Sequence, residues 1–213
     1  MEEVLDLYAE PPDQEQPLVC FDFDEQPVVL PAPTRPSLPP SPGHPARIDY
    51  AYDRVGTANA FVLVAPHLGW RHAEITERRT HTEYAQCLRW LVDEAFPDAP
   101  RIRVVQDHLS THDPASLYAT FPPEEAHRMR QRLEFHYTPV HGSWLNMAEI
   151  ELGIFERGCL SRPLEGLVEL RQRAAGWEAE RNAARRTIHW QFTTPDARRK
   201  LSRLYPTVKT YQD

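Results

Sequence analysis

Apolar residues recur along this chain at two spacings. Up to about residue 77 they alternate or run in short blocks: Leu18–Glu25, Val28–Pro31, Arg47–Asp53, Ala60–Pro66 and Arg71–Glu77, punctuated by turn signals such as "VGTAN" and "HLGW". Such blocks predict strands. A short helix and a proline-containing lead-in fill residues 1–17. Beyond Glu77 the period lengthens to three and four. Thr80 with Glu83 forms a capping-box signature that opens the helical stretch "TEYAQCLRWLVDEAF". "RIRVVQD" (Arg101–Asp107) is a strand ending in aspartate, and short helices follow at Pro114–Thr120 and Pro123–Arg132. "LEFHYT" (Leu133–Thr138) is the next strand. "LNMAEIELGIFERGCL" repeats Leu145, Ala148, Leu152, Phe155 and Cys159 at helical spacing. The long "LEGLVELRQRAAGWEAERNAARR" and the closing "TPDARRKLSRL" are two more helices. Eight prolines between Pro27 and Pro45 exclude helix and interior strand and predict an extended loop. Strands in a meander, then helix crossovers, predict an α/β fold: a mixed sheet with helices on both faces. The RNase H-like fold has this order, and small α+β domains share it.

The composition is that of a globular chain: 41 % of the 213 residues are hydrophobic. No run approaches the ~20 apolar residues of a membrane span. The acidic start "MEEVLDLYAE" lacks a signal peptide's basic and apolar regions, and Cys20, Cys87 and Cys159 are odd in number and far apart. The expectation is therefore a cytoplasmic protein with reduced thiols and no membrane partner. The net charge of −7 is unevenly spread. Residues 1–25 hold nine acidic side chains and no Lys or Arg, whereas Arg162 to Lys209 hold eleven basic against five acidic residues. The charge permits a nucleic-acid partner without indicating one.

Three carboxylate positions carry possible chemistry. Asp22 and Asp24 in "LVCFDFDEQ" share one strand face, opposite Phe21 and Phe23, with Cα atoms ~7 Å apart. Their bland role is the solvated end of a strand. Asp107 ends an apolar strand, where open sheets build sites, or else caps the following turn. His108 and His112 have helical metal-pair spacing, but Pro114 and the intervening Ser-Thr argue for a loop and against zinc. Glu149 lies three residues after Asn146, which makes it the N3 glutamate of a capping box, and periodicity does not choose among Glu149, Glu151 and Glu156. Together, two strand aspartates and a later helical glutamate suit two divalent cations in phosphoryl transfer.

The wording of "VCFDFDEQPVVL", "GTANAFVL", "GWRHAEITERRT", "VVQDHLSTH", "FHYTPVHGSWLNMAEIELGIFERGCLSR" and "WEAERN…WQFTTPDARRKL" resembles the insertion-sequence transposases related to mariner elements, the DDE superfamily endonucleases. The resemblance runs from about residue 1 to 206. It implies an RNase H-like mixed five-stranded sheet flanked by helices. The lead-in covers 1–17, the catalytic domain 18–160 with a Pro-rich loop at 27–46, and C-terminal helices 161–213. It also implies a catalytic triad of Asp24, Asp107 and Glu149 binding two Mg²⁺ or Mn²⁺ ions. Asp22 is the alternative to Asp24, because "CFDFDEQ" carries two residues more than the family's motif. Counting from Cys20 gives Asp22 and counting back from Glu25 gives Asp24; the intact Asp-Glu pair favours Asp24. Two further departures are Gln26, where the family has Lys, and His108, where it has Asn.

The implied activity is metal-dependent DNA strand cleavage and strand transfer, with transposon ends and target DNA as partners. His141, Ser143, Trp144 and Asn146 would position the glutamate helix or touch DNA, positioning coming first and Trp144 reading as core. Arg162, Arg185, Arg186, Arg198, Arg199 and Lys200 would contact phosphates. The family's helix-turn-helix modules find no room before residue 18. The expectation is the second frame of a split gene or a truncated copy, acting as a homodimer or with a helix-turn-helix partner frame. The setting is the bacterial cytoplasm, at the nucleoid when DNA is bound. The competing reading is a non-catalytic DNA-binding or interaction remnant.

Overall fold

The computed structural model describes residues 1–23, 28–33, 40–41, 52–108, 113–140, 142–162, 164 and 166–205. In chain order the elements are α1 (Glu2–Ala9), β1 (Leu18–Phe23), β2 (Val28–Pro33), β3 (Tyr52–Ala65), β4 (Trp70–Thr76), α2 (His81–Trp90), β5 (Ile102–Gln106), α3 (Ala115–Thr120), α4 (Pro123–Arg132), β6 (Leu133–Tyr137), α5 (Ala148–Phe155), α6 (Leu167–Ala184) and α7 (Thr194–Lys200). Both α2 and α5 end in a π turn, at Leu91–Ala95 and Glu156–Leu160. The Thr80–Glu83 capping box forms as expected, and Thr193 with Asp196 makes another at the start of α7.

The main sheet runs β4-β3-β1-β5-β6, with β3 antiparallel to β1 and β4, and β5 parallel to β1 and β6. That is the RNase H-like order, a mixed five-stranded core. A sixth strand, β2, follows β1 along the same edge of β3. The residues "VGTAN", read above as a turn, instead lie within the fourteen-residue β3. Their pairing with β2, Gly56 opposite Leu30 and Thr57 opposite Val29, holds them extended, so tertiary pairing overrides local turn preference. Pro31 and Pro33 sit in β2 beside a register shift at Leu30/Pro31, as suits a strand end with no ladder donor. The remainder of the predicted Pro-rich loop, apart from residues 40–41, lies outside the described residues, as do residues 47–51 of the strand expected there.

Strand alternation divides the core. Leu18 and Cys20 of β1 and Val105 of β5 face α1, α5 and α6, with Met147, Ala148, Phe155 and Trp177. Val19 and Phe21 of β1 with Ile102 and Val104 of β5 face α2, α3 and α4. All three cysteines are free and buried. No helix among the described residues is long and apolar enough to cross a membrane.

The outer edge of β4 is closed by side chains of α6. Asn182 Oδ1 accepts from Arg71 N (2.7 Å) while its Nδ2 donates to Arg71 O (2.8 Å). Glu178 Oε2 accepts from Ala73 N (3.2 Å), and the Arg171 guanidinium donates to Ile75 O (3.4 Å). One helix stripe thus satisfies alternate backbone groups of an edge strand that would otherwise offer itself for pairing. His72 joins this clamp: its Nδ1 lies 2.9 Å from Glu178 Oε2, and its ring stacks on Trp90 at 3.7 Å. Burial pulls the imidazole pKa down, but the hydrogen bonds to Glu178 and then Glu74 outweigh it, and the net shift is upward from 6.5. A raised folded-state pKa means the contribution is complete below pH 6.5 and fades as pH rises through the higher folded value. In urea melts, the wild-type advantage over His72→Gln is expected to be a few tenths to about 1 kcal/mol at pH 6. It should shrink by pH 9; an advantage independent of pH would contradict a charged His72.

Candidate active site

The parallel register sets Leu18 opposite Arg103 and Cys20 opposite Val105. The pairing ends there; position 22 lies two residues beyond Cys20 on β1, and Asp107 directly follows the last residue of β5. Both positions have the parity of Cys20 and Val105, which belong to the sheet face covered by α5. Asp22 pairs with Val62 across β3. Asp24 lies outside the described residues. Asp107 is partly buried, directly after Gln106, which is fully buried. The Gln106 Oε1 accepts from Tyr84 OH at 2.7 Å, anchoring that strand end to α2.

The α5 helix is tied to this corner at its start. Asn146 is 1 % exposed. Its Nδ2 donates to Phe21 O at 2.8 Å, one residue before Asp22, and its Oδ1 accepts from Ala148 N at 3.2 Å. Expected as either a positioning or a DNA-contacting residue, Asn146 is thus a buried brace between β1 and α5. The capping box expected for Glu149 does not form. Asn146 N–H donates to Ser143 O instead, and the Asn146 side chain caps Ala148 rather than N3. The Glu149 carboxylate is partly buried and makes no hydrogen bond or ion pair with a described residue.

The three glutamates that periodicity left equivalent are distinct in the fold. Glu156 is exposed. Glu151 is 1 % exposed and paired with Arg71 Nη2 at 2.9 Å and Arg181 Nη2 at 2.5 Å. Of the three, Glu149 is the half-buried one whose carboxylate has no partner among the described residues. The buried pair was missed from the sequence, although Arg71 stands at the apolar-face parity of Ala73 and Ile75 in "WRHAEIT".

The remaining positions read as DNA-contacting are scattered. His141, like His112, lies outside the described residues. His108 stacks on Tyr137 at 4.5 Å. Ser143 is exposed. Trp144, expected in the core, is 43 % exposed: it rests on Trp190 (6.3 Å) and Phe192 (5.6 Å), and the rest of the indole is open because a three-residue turn carries it outward. Lys200 sits 5.5 Å over the Phe192 ring. Arg198 is bound to Glu2 (2.8 and 2.7 Å) and Arg199 to Asp196 (2.6 Å). Arg162, Arg185 and Arg186 are exposed. Arg185 closes α6 in a left-handed conformation, and its carbonyl packs against Gly69, where a Cβ would lie 2.5 Å from it. Glycine is therefore required in the β3–β4 turn.

Among the described residues, no group of three or more His, Cys, Asp or Glu side chains converges in a way that could hold a metal ion. Asp107 and Glu149, the two described members of the expected triad, are oxygen donors, and Glu149, with no ion pair to a described residue, suits a hard divalent cation.

A family model described as DDE superfamily endonuclease matches residues 17–171. None of the curated proteins matches the chain. Solved structures similar to it include a chain of the simian T-cell lymphotropic virus intasome in complex with PP2A regulatory subunit B56 gamma, at 13 % identity and TM-score 0.46, covering 77 % of this chain and 49 % of that one. The Mos1 Strand Transfer Complex matches at 13 % identity and TM-score 0.34, covering 89 % and 60 %. The Mos1 transposase paired-end complex with left transposon end matches at 14 % and 0.35, covering 89 % and 61 %. The chain spans about half to three-fifths of the length of these structures.

Proposed function

Since the chain belongs to the DDE superfamily endonucleases, a family whose members generally use divalent metal ions, we propose that it is a transposase catalytic domain that cleaves DNA strands and joins the freed 3′ end to target DNA. The observation that supports this reading is the brace by which Asn146 ties the start of the Glu149 helix to Phe21, the residue before Asp22, on a strand that runs parallel to the one preceding Asp107. Asp22, Asp107 and Glu149 would hold Mg²⁺ or Mn²⁺, two ions in the active complex. The motif's Asp-Glu pair favours Asp24; Asp22 directly follows Phe21, to which the start of the Glu149 helix is braced, and on that ground we take Asp22 with Asp24 as the alternative.

When bound, divalent cations supply charge neutralisation at a phosphate and acidification of water. The chain's own part is orientation. In this reading Asp107 and the first aspartate would supply carboxylates from β5 and β1, Glu149 would supply a third from α5, and Asn146 ties the start of α5 to β1. Of the cations expected at DNA, Arg162, Arg185 and Arg186 are exposed and would meet phosphates. Arg198 and Arg199 already hold surface carboxylates, contacts weak enough for DNA to displace. The partners in this reading are element ends, target DNA and either a second copy or a helix-turn-helix chain, the last two following from the resemblance alone.

The test is nicking of supercoiled plasmid by the 213-residue chain. With MnCl₂ or MgCl₂ present, relaxed circles should accumulate, and chelation with EDTA should stop them. Asp22→Asn should abolish nicking while Asp24→Asn retains it; the reverse pattern transfers the ligand role to Asp24. Nicking that is unaffected by EDTA, or no nicking with either metal, would remove the enzymatic reading in favour of a non-catalytic remnant.

A further inference from the structure

The α5 sequence "AEIELGIF" has apolar residues around most of its circumference: Ala148, Ile150, Leu152, Ile154 and Phe155. Burial of apolar surface therefore favours no single rotation of this helix about its axis. The rotation adopted is unexpected on hydrophobic grounds. It buries Glu151 between Ala148 and Phe155 and leaves Ile150 46 % exposed.

What holds that rotation is polar. Arg71 of β4, 1 % exposed, donates from Nη2 to Glu151 Oε1 at 2.9 Å. Arg181 of α6 donates from Nη2 to the same oxygen at 2.5 Å and from Nε to Oε2 at 3.1 Å. The cluster is not built for stability: it carries a net positive charge, and Arg71 Nε and Nη1 are buried with no partner among the described residues. Replacing such a buried cluster by apolar side chains is often neutral or stabilising, and its best-attested benefit is to fix a register.

We propose that Arg71, Glu151 and Arg181 form a rotational lock on α5 and act as positioning residues for Glu149, two positions away. Glu149 and Glu151 project about 200° apart around the helix. Locking Glu151 toward β4 and α6 fixes the side on which Glu149 emerges. Asn146 sets the height of the helix start on β1, and the ion cluster sets its rotation. The lock rests on the reading of Glu149 as a metal ligand.

The experiment compares the wild-type chain with the apolar triple variant Arg71→Met/Glu151→Leu/Arg181→Met. Three quantities are read: thermal stability without metal, Mn²⁺ affinity by calorimetry, and nicking of supercoiled plasmid at saturating DNA. The expected result is a folded variant at least as stable as wild type, with Mn²⁺ affinity and nicking rate each about 10- to 100-fold lower and KM for DNA unchanged. A purely structural cluster would move stability and leave Mn²⁺ affinity alone. Where the triple variant does not fold, Glu151→Gln is read in the same titrations. Wild-type Mn²⁺ affinity and nicking in either folded variant overturn the lock alone. A wild-type chain that neither binds Mn²⁺ nor nicks overturns the functional reading and the lock with it.

Discussion

Glu149→Gln is expected to abolish metal-dependent nicking while leaving the fold intact. The two expectations rest on different observations. The Glu149 carboxylate has no hydrogen bond or ion pair with a described residue, so its neutralisation breaks no contact with one. Loss of the favourable interaction with the helix N-terminus costs at most about 1 kcal/mol, and relief of repulsion from neighbouring carboxylates works in the opposite direction. The melting temperature should therefore stay close to that of wild type. Charge stabilisation by a held cation is worth several kcal/mol in the transition state, which is about 100- to 1000-fold in rate. A fall in nicking of that size, with unchanged circular dichroism and unchanged melting, assigns Glu149 to the chemistry. Retained nicking would mean that Glu149 holds nothing the reaction needs.

Asn146→Ala should act in the opposite sense, on stability first and activity through it. The side chain is 1 % exposed and serves two backbone groups, the Phe21 carbonyl and the Ala148 amide. Each unsatisfied buried group costs ~1–3 kcal/mol, so a loss of about 2–4 kcal/mol is expected in urea unfolding. Nicking by the folded fraction should fall as well, because the brace between β1 and α5 is gone. Asn146→Asp sharpens the test: it keeps an oxygen for Ala148 N–H but sets a carboxylate against the Phe21 carbonyl. It should be at least as damaging as alanine. Wild-type stability in both variants would show that α5 is held elsewhere.

Much of the fold follows from local pattern. Alternation marks β1, β4, β5 and β6, and a Thr-x-x-Glu signature marks the start of α2, because these signals depend on residues a few positions apart. The single long β3 does not, since "VGTAN" is held straight by a partner strand more than twenty residues earlier. The same division separates the site residues. Asp107 is legible as the polar end of an apolar strand. Glu149 is not legible from periodicity, since three glutamates share its helix and its π-turn extension, and the resemblance to mariner-related transposases singles it out.

Residue types, strand parity and helix spacing thus nominate the candidate carboxylates and give Asp22 the parity of Cys20, because a period of two or 3.6 is a property of the chain alone. Which glutamate stays unpaired is a different kind of question. It depends on Arg71 from β4 and Arg181 from α6, residues 80 and 30 positions away from Glu151, claiming that side chain in the core. No local pattern carries such information, because the energy of a buried charge is decided by the partners that reach it across the fold. The chain supplies three equivalent glutamates, and packing makes them unequal by burying one, exposing another and leaving Glu149 half-buried without a partner among the described residues.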